Sequence, residues 1–198
     1  MATSASGGGM PAVGTIGTPT MWITALLAVS VVAGLIGGIA FESGDDMQAI
    51  LFSLTAIAGS LAGFLLAVRH IRRNLDLSGA GFGVLGALAV AGVVAGFTGP
   101  GADSVFGSLA ILHWGALWTI AAQNWSPIWA RAAAALSGLL FALYGYDYVL
   151  GDQLEPPDPE SPLALIAWAA FTVAVIGWIM TLSAEGDDAT APPSTLGP

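Results

Sequence analysis

The chain reads as an all-α integral membrane bundle of six transmembrane helices, and three observations predict it. Six apolar runs fill most of its 198 residues, at 21–41, 47–68, 80–99, 105–123, 128–150 and 163–182. Each is about 20 residues, the length an α-helix needs to cross a hydrocarbon layer of roughly 30 Å. The charges fall almost entirely between the runs. Composition agrees: 56% of the residues are hydrophobic and 9% charged, whereas soluble domains are about 25% charged. Lipid accommodates such a chain, because outward-facing Leu, Val and Ala need no cover there.

The expected organisation is a disordered tail at 1–20, a membrane domain at 21–182 and a disordered acidic tail at 183–198. The first tail is rich in Gly, Ser, Thr and Ala, is uncharged, and lacks the basic segment of a secretory signal, so the first run is expected to remain as a helix. The last is rich in Asp, Pro and Thr. Helix starts carry local signals. Thr18-Pro19, Ser126-Pro127 and Ser161-Pro162 each place a capping hydroxyl before a proline, whose missing N–H had no helical partner. Asp45 with Gln48 has the capping-box spacing. Ser78 and Asp103 are expected to cap the third and fourth helices.

Orientation follows the four basic residues, all arginine. Arg69, Arg72 and Arg73 follow the second run and Arg131 opens the fifth, which is the same side if six helices alternate. The positive-inside rule makes that side cytoplasmic, with both termini inside a cell membrane. The outer side then holds nine acids with no basic partner: Glu42, Asp45, Asp46, Asp103, Asp147, Asp152, Glu155, Asp158 and Glu160. On the inner side Asp76, Glu185, Asp187 and Asp188 balance the four arginines, so the net charge of −9 is external. That face is read as a solvated acidic surface suited to high salt, or as a cation-attracting mouth.

Small residues mark contact faces. Gly34 and Gly38, Gly59 and Gly63, and Gly92 and Gly96 are spaced four apart, so each pair shares a helix face and admits a neighbouring backbone. Packing within the bundle is the expected use, self-association the other. Gly79, Gly81, Gly83 and Gly86 smooth the start of the third helix. Trp22, Trp125, Trp129, Tyr146 and Tyr148 fall near helix ends, at headgroup depth. Trp114, Trp118, Trp168 and Trp178 lie deeper.

Chemistry is sparse. Without Cys there is no thiol or disulfide, and without Lys no Schiff base. No phosphate loop, metal-ligand spacing or hydrolytic triad is present, so no enzyme activity and no metal are expected. The negative charge argues against nucleic acid as a partner. His113, in the middle of the fourth run, is the sharpest candidate: a haem ligand, proton relay or gate on one side, a histidine hydrogen-bonded within the bundle on the other. His70 sits at the inner end of the second run, about 15 Å from the depth of His113, so the two are not joint ligands of one haem. Arg69, His70, Arg72 and Arg73 form a modest patch for lipid headgroups. Asp147, with Tyr144 three residues before it, is a further candidate for transport or gating.

In composition and topology the chain resembles the small polytopic proteins common in halophilic archaea, some of them encoded beside respiratory oxidase genes. Separately, Trp114-Gly115-Ala116-Leu117-Trp118 is similar to a short stretch in the six-helix urea/amide channel family. It lies here in the fourth helix, in that family in the fifth, and the family's other motifs are absent, so no functional residues carry over. The expected function is an accessory or assembly subunit of a larger membrane complex, a respiratory one included. The alternatives are a small-solute or ion channel or transporter, and a haem-binding anchor. Expected partners are the bilayer and other membrane subunits.

Overall fold

The computed structural model describes residues 20–40, 46–97, 103–150 and 162–185. They form six α-helices: α1 Thr20–Ala40, α2 Asp46–Arg72, α3 Asp76–Phe97, α4 Asp103–Ala122, α5 Ile128–Leu150 and α6 Pro162–Glu185. Among the described residues there is no strand. Five helices are long and apolar enough to cross a membrane, and α4 adds a shorter apolar stretch, Gly107–Ala122. Leu, Ile, Val and Phe side chains stand exposed along the outside of the bundle, among them Ile36, Leu61, Phe64, Val90, Leu139 and Ile176. An outer surface of that kind suits lipid and not water.

Each helix packs on its neighbours in the chain, and α6 closes the ring through a thinner contact with α1. The interior is filled. Ile23, Leu66, Phe82, Leu117, Ile120, Trp178 and Leu182 are almost wholly buried and belong to one cluster.

Two short connectors at the arginine-bearing end are built in detail. Between α2 and α3 the Leu75 amide donates to the His70 carbonyl at 2.9 Å and the Asn74 amide to that of Ile71 at 3.1 Å. This is a Schellman turn, with Asn74 in the left-handed conformation it requires, at φ 58°. The turn reverses the chain in three residues, so α2 extends past 68 and carries Arg69 and His70 in its last turn. It also starts α3 at Asp76, not at 80. Ser78 therefore lies inside α3 and does not cap it; Gln123 does, its Oε1 accepting from the Ser78 amide at 2.9 Å. Between α4 and α5, Arg131 Nε donates to the Ala121 carbonyl at 2.6 Å, and its guanidinium also donates to Asn124. The first carbonyl of α5 to accept is that of Pro127, at 3.1 Å from the Arg131 amide, one residue later than a Ser126 cap implies. Thr18-Pro19, Asp45, Ser161 and most of the two tails lie outside the described residues, as does the Asp103 side chain.

The α2–α3 contact explains the glycines best. A Cβ on Gly63 would stand 3.0 Å from the Gly86 nitrogen and the Phe82 carbonyl, and one on Gly86 3.0 Å from the Ser60 carbonyl. The backbones touch there, which no side chain permits. Gly34 meets Thr55 and Gly59 meets Ser30, across α1 and α2. Around Gly38 and Gly92 nothing stands within 4 Å, so the close partner of Gly63 on α3 is Gly86, while Gly59 faces α1. Gly96 lies beyond the described side chains. Gly81 against Thr119, and Gly177 against Ala130, mark two further close crossings.

Candidate functional site

The last turn of α2 ends the run of apolar residues with charge, yet part of that turn is enclosed in the bundle. Arg69 is 5% exposed and His70 0%. Arg69 and Arg73 are four residues apart and share a face. Both reach Glu185 in the final turn of α6, Arg69 at 2.9 Å and Arg73 at 2.5 Å on the same oxygen. The other carboxylate oxygen accepts from Trp125 Nε1 at 2.9 Å. Arg69 also donates to the Thr20 hydroxyl, in the first turn of α1, at 2.7 Å. One guanidinium thus ties α1, α2 and α6, and one carboxylate ties α6 to α2 and to the α4–α5 connector. Charged groups this close to the hydrocarbon are costly unless paired, and the pairing here is made by helix ends brought together at one level.

His70 adds the third helix. Its Nδ1 and Ser78 Oγ are 2.5 Å apart, and Ser78 Oγ also donates to the Leu75 carbonyl at 3.2 Å. With its single hydroxyl hydrogen directed to Leu75, Ser78 receives the bond from Nδ1–H. The imidazole lies edge-on to Phe82 at 5.0 Å and to Trp125 at 4.4 Å. Three buried nitrogens of this region, Arg69 Nε, His70 Nε2 and Trp178 Nε1, have no hydrogen-bond partner among the described residues.

These positions correct the reading of Arg69 and His70 as a headgroup patch: both are inside the bundle. Arg72 is exposed and Arg73 partly so. Trp125, expected in an interfacial belt, turns inward to Glu185. Sequence reasoning missed Glu185 and Ser78 as site residues. Glu185 was assigned to the acidic tail beyond residue 182, but α6 runs three residues further. The signal for it was the zero charge sum on the arginine side, which invited a search for internal pairs.

His113 has a different setting. It is half-buried, and its Nδ1–H donates to the carbonyl of Leu109, one turn earlier on its own helix, at 2.8 Å. Its ring lies 5.3 Å from Phe141. From there Trp168, Phe171, Trp178 and Phe82 continue a chain of ring contacts, each 4.9–6.0 Å, as far as His70. The two histidines stand at opposite ends of this aromatic spine and do not share a ligand position. Among the described residues no group of three or more His, Asp or Glu gathers to hold a metal. Tyr144 is half-buried; the Asp147 side chain lies outside the described ones.

Two surface grooves flank the end of α6. One, of about 460 Å³, runs between α1 and α6 and is lined by Thr20, Thr24, Ala25, Ala28, Leu182 and Ser183. The other, of about 520 Å³, is lined by Trp125, Pro127, Met180, Thr181, Ala184 and Glu185. No family model matches this chain, and neither does any curated protein or solved structure compared with it. Fold and composition define a multi-pass helical membrane protein.

Proposed function

We propose that this protein is a non-catalytic subunit that works by packing against other membrane proteins, an accessory or assembly component of a larger complex. The observation that carries this is the filled interior. A transport path needs polar groups facing a lumen. Here Thr55, His113, Thr119 and Thr181 instead bond carbonyls of their own helices, at 2.8–2.9 Å, and large apolar side chains occupy the axis. Trp114, Trp118 and Trp168, by contrast, stand about half exposed on the outside, well inside their helices. Indoles favour headgroup depth when they face lipid, and they are common anchors where they face protein.

Migration of the protein in mild detergent tests the reading. It should travel well above the 19.9 kDa of one chain, and Trp114→Ala with Trp118→Ala should release it without unfolding it. A stable lone monomer overturns the proposal. Solute flux in liposomes would restore the channel reading, and a Soret band would restore the haem anchor. In this proposal the arginine end is cytoplasmic, both termini are inside and the acidic face is external. Since the chain has no cysteine, Leu77→Cys and Ala102→Cys each supply a sole thiol. An impermeant label should reach only the second from outside.

A further inference from the structure

We infer that the groove between α1 and α6 holds one acyl chain of an anionic phospholipid, with the headgroup phosphate at Thr20 and Thr24. The argument is one of charge. Two guanidiniums, Arg69 and Arg73, share the single carboxylate of Glu185. Among the described residues this set therefore carries one positive charge in excess, and the buried Arg69 keeps an Nε–H with no partner among them. Arg69 also stands directly behind the groove, since Thr20, which lines it, accepts the guanidinium's hydrogen bond at 2.7 Å. A phosphate at that mouth would supply the missing counter-charge.

The second groove is a built-in control. It is of similar size, lies on the other side of the same helix end, and is also largely apolar, but Glu185 itself lines it. That groove is lined by an acceptor carboxylate already held by Arg69, Arg73 and Trp125, whereas in the first groove Arg69 donates to the lining Thr20, which places an anionic headgroup in the first. Ala25 and Ala28 give the first groove an apolar lining that suits a methylene chain. The thinner contact between α1 and α6 leaves room for it.

The test uses the full chain, extracted from vesicles of equal phosphatidylglycerol and phosphatidylcholine and weighed intact with its retained lipid. Wild type should keep one phosphatidylglycerol, preferred about fivefold, the discrimination of roughly one basic residue at a headgroup. Ala28→Phe, which fills the groove without touching the ion pairs, should lose it. Ala184→Phe, in the carboxylate-lined groove, should not. Arg69→Gln should keep lipid but lose the preference. If that variant does not fold, Ala25→Leu joins Ala28→Phe, with thermal melting to show that both remain folded. Equal retention of the two lipids by wild type overturns the inference. So does retention by folded Ala28→Phe, loss in folded Ala184→Phe, or a lipid-free dimer.

Discussion

The two histidines of this chain differ in the opposite sense from their positions along the helices. His113 lies in the middle of an apolar run, yet it is half-buried and satisfied by its own helix. His70 lies at the end of one, beside three arginines, yet it is sealed inside the bundle and bonded across to α3. Depth along a helix and burial within a bundle are separate coordinates. In a membrane protein the second decides what a polar group can do. A histidine that bonds to its own backbone adds little to the fold, whereas one that bridges two helices couples them. At the arginine end α1, α2, α3, α6 and the α4–α5 connector are thus joined through Arg69, His70 and Glu185.

That contrast can be broken most directly at Glu185. Glu185→Ala leaves Arg69 buried with no anionic partner, a defect that costs about 3–5 kcal/mol where a buried pair is halved. The carboxylate is partly exposed, at 24%, which places the loss toward the lower figure. Thermal or denaturant unfolding in detergent measures it, and an unchanged midpoint would show that the ion pairs do not hold the helix ends. His70→Ala comes next. It removes a fully buried ring from between Phe82 and Trp125, and large-to-small changes in packed interiors cost about 2–4 kcal/mol. If His70→Ala and His113→Ala proved equally mild, burial would not be the deciding coordinate.

The number of helices was legible in the sequence because apolar length is nearly all that a membrane span requires. The arginine end was legible too, because charge is rare here and so stands out. Which face of each helix points inward was not. Lipid and core are equally apolar, so a run such as 163–182 has no polar stripe to mark its outside. That is why His113 drew attention and Ser78 did not: one is conspicuous among apolar neighbours, the other resembles a helix cap. The boundary errors have one cause as well. Arg69, His70 and Glu185 were assigned to the surface by their chemistry, whereas the Schellman turn at Asn74 and the full length of α6 fold them back against each other. Gly63 was legible as a contact residue. Its partner Gly86 was not, since it belongs to none of the pairs spaced four apart, and Gly92, which does, has nothing within 4 Å of its Cβ position.

Ser78→Ala isolates the bond from the ring. It leaves His70 in place but removes the hydroxyl at Nδ1, and a buried polar atom left without a partner costs about 1–3 kcal/mol. The Ser78 amide still has Gln123, so α3 keeps its cap and the loss reports the side chain alone. A double-mutant cycle of Ser78→Ala with His70→Ala should recover a coupling of about 1 kcal/mol. Strict additivity would mean that the 2.5 Å contact is mere proximity.

The smallest effect is expected at His113. Its hydrogen bond is to a carbonyl that already serves the helix, and the ring's contact is with Phe141 on the neighbouring α5. Truncation to alanine loses that contact and gains helix propensity, so stability should change by less than about 1 kcal/mol. Liposome permeability and the visible spectrum should not change at all. A loss of stability as large as that of His70→Ala would place a missing helix or subunit against this face, and a change in flux would place a path there. Either result would move the functional centre from the arginine end to the middle of α4. With the change small and flux unaltered, the functional centre stays with the polar contacts described at the arginine-bearing helix ends.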